Sequence, residues 1–213
     1  EKDYMFVLCN TERNPFKERE YLRLLYQRQS LGAIISSIDT SPDTINQYVE
    51  KGMKIVLLDQ QIHGANCPVI SFDSRGSGTL AVNYLLKLGH KKIAFATTPL
   101  SRWTRQEIYI GYKEALQSAG ISPDEAYLFV TDPSNDSYGN DVELTAGTII
   151  ANKFIEGNCD ATAILCINDM VAFGLIQTLM QSGVRVPEDV SVIGFADIPY
   201  PAAKHDVERP KQP

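Results

Sequence analysis

Asp59, Asp73, Asn168 and Asp197 all follow closely on short apolar runs, with Asp169 adjoining Asn168. Carboxylates and amides in such places accept from and donate to vicinal hydroxyls, which is how a sugar or other small polyol is held. Phe72 and Tyr138 are candidate aromatic walls for the C–H face of a ring. The sole tryptophan, Trp103, lies in the polar stretch LSRWTRQ, flanked by Arg102 and Arg105, two cations that can reach the same ligand. On spacing, Asp59, Asp73 and Asp169 also suit acid/base work, but nothing supplies a nucleophile. His63, His90 and His205 lie near no Ser or Cys in a recognisable motif, and there is no GxSxG. Binding without turnover is the better reading.

Two other chemistries are disfavoured. Gly76, Gly78 and Ala81 match GxGxxA ahead of a helix. However, Asp73, Ser74 and Arg75 separate them from the strand, and the next strand ends in Thr97-Thr98 without the acid a dinucleotide site needs. Those glycines are expected to let a helix pack closely, and no cofactor is expected. The cysteines, Cys9, Cys67, Cys159 and Cys166, show no CxxC spacing, so neither a metal site nor a disulfide framework is expected. Reduced thiols point to a cytoplasmic setting.

The elements that must position these groups alternate along the chain. Strands are expected at Tyr4 to Cys9, Ala33 to Ser36, Ile55 to Leu58, Val69 to Phe72, Ile93 to Ala96, Tyr127 to Thr131, Ala163 to Ile167 and Val190 to Phe195. Helices are expected at about Phe16 to Ser30, Pro42 to Lys51, Gly76 to Leu88, Thr104 to Ala119, Gly139 to Glu156 and Asp169 to Ser182. The run from Thr162 to Pro199 carries the pattern in full. Ala163 to Ile167 is apolar without alternation, as suits a parallel strand covered on both faces. Asn168 then caps a helix whose stripe is Val171, Gly174, Leu175, Thr178 and Leu179, and Gly183 ends it. Strands separated by helices imply parallel βαβ units, whose ligands sit at the carboxyl ends of the strands.

The order TAILCIND, then VPEDVSVIGF, resembles the effector-binding domain of the lac repressor/galactose repressor family of bacterial transcription regulators. The stretch VISFD with Gly76 and LGHKKIAF, and the helix start GYKEAL at Gly111, carry the same resemblance. It implies an α/β, periplasmic-binding-protein-like fold of two similar Rossmann-like subdomains, with a ligand cleft between them. It assigns Asp59 and Asp73 to the pocket of the first subdomain and Asn168 to that of the second. It also implies a homodimer whose effector, a sugar or sugar derivative, controls operator DNA through a helix-turn-helix absent from this chain. Two positions depart from the family: Ile108 stands where an arginine is common, and Ala196 where the pocket aspartate usually stands, with Asp197 next. The effector is therefore not to be copied from the family. A solute-binding protein of a sugar transporter is the alternative on the same fold.

Subdomains are expected over 1–91 and 92–198, the first incomplete at its start, with a truncated return crossover over 199–213. The net charge is −6, a poor match to phosphate-backbone binding. No apolar run approaches the ~18 residues of a membrane span.

Overall fold

A computed structural model describes residues 4–132 and 142–199. The first helix, α1 (Pro15–Gln27), starts where Asn14 accepts from the amides of Phe16 (2.9 Å) and Lys17 (3.4 Å), with proline at the first helical position. Next come β1 (Gly32–Ile35), α2 (Asp43–Glu50), β2 (Lys54–Leu58), β3 (Val69–Ile70) and α3 (Ser74–Lys87). They are followed by β4 (Ile93–Thr97), α4 (Trp103–Ser118), β5 (Leu128–Val130), α5 (Val142–Glu156), β6 (Ala163–Cys166), α6 (Asp169–Gln181) and β7 (Ser191–Ile193). Two parallel sheets result, in the orders β1-β2-β3 and β5-β4-β6-β7. All four residues of β6 are buried, as the absence of alternation requires.

One expected strand is not formed. Tyr4 to Cys9 has strand composition but no ladder, and Met5 and Leu8 are 92% and 97% exposed. A strand exists only against a neighbour's hydrogen bonds, and among the described residues none runs beside this segment.

Each sheet has its own core. Leu22, Ile45, Tyr48, Ile55 and Leu57 are central to the first, and Phe95, Ile150, Leu165, Val171 and Leu175 to the second. Helix α3 follows a strand of the first sheet, yet Ala81, Val82 and Leu85 are buried in the second core. By its packing α3 goes with the second core, although it lies within the 1–91 span expected for the first subdomain. Apart from Pro199, the segment expected as a return crossover lies outside the described residues.

The second unit is built on two close helix pairs. A Cβ at Gly78 of α3 would stand 2.2 Å from the Ile108 carbonyl oxygen of α4, and one at Gly111 would stand 2.0 Å from that of Arg75. Gly147 of α5 and Gly174 of α6 repeat the arrangement, against the carbonyl oxygens of Val171 (2.2 Å) and Leu144 (2.0 Å). Gly78 is one of the GxGxxA glycines, and its role is this close approach.

In the first unit, Glu18 is buried beneath the end of β1. Its carboxylate accepts from the Ser37 hydroxyl (2.6 Å) and the Ile38 amide (3.2 Å). Desolvation by burial is the dominant influence and raises its pKa above 4.5, against the opposing effect of the two hydrogen bonds. A raised folded-state pKa means the folded protein holds this proton more tightly than the unfolded chain. The resulting stability is fully present below 4.5 and is lost as pH rises through the folded value. Urea melts between pH 4 and pH 7 are expected to show this decline, and Glu18→Gln is expected to flatten it.

Candidate functional site

The two units meet at the carboxyl ends of the first sheet. Asp59, just beyond β2, takes a positive φ of 63°, a region Asp tolerates better than most residues. Its amide donates to the Ile70 carbonyl (2.8 Å), and its carboxylate accepts from the Phe72 amide (3.4 Å). Thus Asp59 ties β2 to the chain leaving β3. Beside it, Gln60 reaches across: its Oε1 accepts from the Trp103 amide (3.3 Å), and its Nε2 donates to the Thr104 hydroxyl (3.5 Å). The amide at the start of α4 lacks an intrahelical acceptor, so the glutamine of one unit satisfies a helix start in the other.

An ion pair makes a second crossing. Arg13 of the first unit donates through Nη2 to Glu143 in the first turn of α5, at 2.7 Å. Arg105 approaches the same carboxylate at 4.0 Å and donates through Nη1 to the Pro99 carbonyl (2.9 Å). It is only 5% exposed. Between the units lies a cavity of about 280 Å³, lined by Asn10, Arg13, Ser36 and Ile38 from one side and Arg102 from the other.

The structure distributes the expected site residues unevenly. Asp59, Arg102, Trp103 and Arg105 lie in the region where the units meet. Phe72 is 75% exposed. Asp73 caps α3, accepting from the Gly76 amide at 2.8 Å, and Asn168 caps α6, accepting from the Val171 amide at 3.0 Å. Each therefore has one oxygen already engaged. Asp169 accepts from the Ile198 amide (2.8 Å) and its own amide donates to Phe195, fastening the turn after β7. In that turn Ala196 and Asp197 take φ values of 105° and 48°, and Asp197 is exposed. Tyr138 lies outside the described residues. Sequence reasoning passed over Gln60, Arg13 and Glu143, because their partners belong to the other unit and no local spacing marks such a contact.

A family model described as periplasmic binding proteins and sugar binding domain of LacI family matches residues 1–207. The HTH-type transcriptional repressor PurR of Photobacterium profundum is 31% identical over 196 residues, covering 92% of this chain and 56% of that protein. Its namesake in Vibrio atlanticus is 32% identical over 197 residues, with the same shares. The chain thus spans about half the length of the curated relatives it matches. The crystal structure of transcription regulator CcpA of Lactococcus lactis is similar with a TM-score of 0.75 and 26% identity, covering 90% of this chain and 66% of that one.

Proposed function

Because the chain belongs to the family of periplasmic binding proteins and LacI-family sugar-binding domains, we propose that it is the ligand-sensing part of a bacterial transcription regulator. A small effector, sugar-like in carrying many hydroxyls, enters between the two units and favours one arrangement of them. It does so only to the extent that it binds one arrangement better than the other. The single observation that carries this reading is the meeting of Gln60, Arg13 and the cavity wall with Arg102, Trp103 and Glu143. These polar contacts join two separate cores and can be exchanged for contacts to a ligand. No catalytic step is assigned to them.

In the whole protein, a DNA-binding domain outside this chain reads a palindromic operator, and pairing of two copies sets the spacing of its two readers. A net charge of −6 makes these residues a poor match to the DNA phosphate backbone, so the response reaches DNA through the arrangement of the units.

Operator binding by the full-length protein is the test, measured with and without sugars and sugar derivatives. A ligand that stabilises the protein is expected to change operator affinity several-fold, in the range of ~5–150-fold typical of allosteric coupling. Asp59→Ala and Asn168→Asp are expected to weaken that ligand. The second keeps an oxygen for the α6 cap and replaces the amide donor with a charged carboxylate oxygen, whereas Asn168→Ala also costs about 1 kcal/mol of stability. A ligand that binds between the units and leaves operator affinity unchanged refutes the proposal.

A further inference from the structure

We propose that Gln60 is a latch between the units: it caps α4 from outside, so the first turn of α4 is held only while the units meet. The latch rests on the reading that an effector changes their arrangement, and it names the element of the second unit that responds to the change.

Helix starts leave amides without intrahelical acceptors, and a nearby side-chain oxygen commonly supplies one. Asn14, Asp73 and Asn168 do so for α1, α3 and α6, each within its own helix start. At α2 the Ser41 hydroxyl accepts from the Asp43 amide (3.2 Å). Helix α4 is different. Its cap position holds Arg102, whose side chain carries donors and no acceptor. The oxygen comes instead from Gln60, 43 positions before Trp103 and in the other unit, at 3.3 Å from the Trp103 amide. The same side chain secures the next residue through the Thr104 hydroxyl, at 3.5 Å.

Both sides of this contact are braced. Asp59 holds a φ of 63°, with its amide on the Ile70 carbonyl and its carboxylate on the Phe72 amide, so Gln60 leaves β2 in a set direction. Across the gap, Arg105 and Gln106 donate to the carbonyls of Pro99 (2.9 Å) and Leu100 (2.7 Å), which fixes the loop before α4. The contact itself is weak. Bonds of 3.3 and 3.5 Å are long, and Gln60, Trp103 and Thr104 are all half-buried. Both partners are neutral, so parting them strands no charge. The other crossing, Arg13 with Glu143, also lands in the first turn of a helix, that of α5. The first unit thus grips the second at two helix starts, and the sole tryptophan stands at one of them.

The test is hydrogen exchange of the full chain, with small-angle scattering and tryptophan emission beside it. Gln60→Ala is expected to speed exchange in the first turn of α4 by about two- to tenfold, the loss of one or two neutral hydrogen bonds. It is also expected to shift Trp103 emission to the red and enlarge the radius of gyration. Gln60→Glu is expected to slow that exchange by a similar factor. A carboxylate accepts from both the amide and the Thr104 hydroxyl and suits the positive end of a helix. Gln61→Ala, at the exposed neighbour, leaves all three readouts unchanged. Arg102→Asn gives α4 a cap of its own. Combined with Gln60→Ala, it is expected to restore slow exchange at the start of α4 without restoring the radius. First-turn exchange equal in the wild type and both Gln60 variants overturns the latch. Faster exchange spread evenly over α4 and α5 overturns it too, because that marks a loss of stability in the unit rather than of a cap. Operator binding by the full-length protein separates the two readings. If exchange responds as expected while no sugar or sugar derivative alters operator affinity, the latch stands and the sensor reading is refuted. Sugar-dependent operator affinity with unresponsive exchange refutes the latch and leaves the sensor reading standing.

Discussion

Gly174→Ala is expected to lower the melting temperature by about 4–8 °C, the equivalent of about 2 kcal/mol in a chain of this size. Alanine is the better helix former, by about 1 kcal/mol in an exposed position, so propensity alone predicts the opposite sign. Packing decides the outcome. The added methyl would stand 2.0 Å from the Leu144 carbonyl oxygen and 2.9 Å from its carbon, and both atoms belong to the backbone of α5. No rotamer change relieves such a contact. The helices must separate, and Gly147 faces Val171 across the same crossing. Overpacking of this kind costs about 1–3 kcal/mol or more. Gly52→Ala is the comparison: its positive φ of 88° is unfavourable for alanine, but nothing lies within 4 Å. That variant is expected to lose about 1 kcal/mol. If scanning calorimetry finds Gly174→Ala within about 2 °C of the parent, the helix pair is not packed this closely.

The contrast between those glycines shows what could be read from the chain. The stripe of Val171, Leu175 and Leu179 and the stop at Gly183 mark α6 from local pattern alone, and its bounds differ from expectation by one residue. The apolar runs of β4 and β6 marked buried parallel strands for the same reason. Tyr4 to Cys9 shows the limit of such reasoning, since its composition suits a strand but a strand is a relation between two segments. The site was legible to a lesser degree. Asp73 and Asn168 stand at strand ends, where ligand contacts and helix caps draw on the same short polar side chains, and the structure has both acting as caps. Ala196 was singled out for its letter, whereas its geometry is a φ of 105° in the turn fastened by Asp169. Arg13 and Glu143 are 130 positions apart and meet only because two cores are brought face to face.

Glu143→Gln is expected to loosen that meeting more than it loosens either unit. Glu143 is the carboxylate toward which two cations converge, Arg13 from the first unit at 2.7 Å and Arg105 from its own unit at 4.0 Å. Removing one partner of a fully buried ion pair costs about 3–5 kcal/mol, mostly through the charge left behind. Arg13 is a third exposed and water relieves part of that cost, so about 1–2 kcal/mol is expected here. A further few tenths come from losing a negative charge in the first turn of α5. The larger share falls on the arrangement of the two units, because the shorter contact spans them. Small-angle scattering should therefore show a larger radius of gyration in the variant, while circular dichroism at room temperature stays unchanged. A double-mutant cycle with Arg13→Gln should return a coupling of about 1 kcal/mol, above the few tenths found between independent sites. Raising the salt concentration should bring wild type and variant together, since a partly exposed pair is screened. If scattering profiles coincide at low salt and the cycle returns no coupling, the ion pair does not hold the units together, and the polar contacts of Gln60 with Trp103 and Thr104 are the ones to replace next.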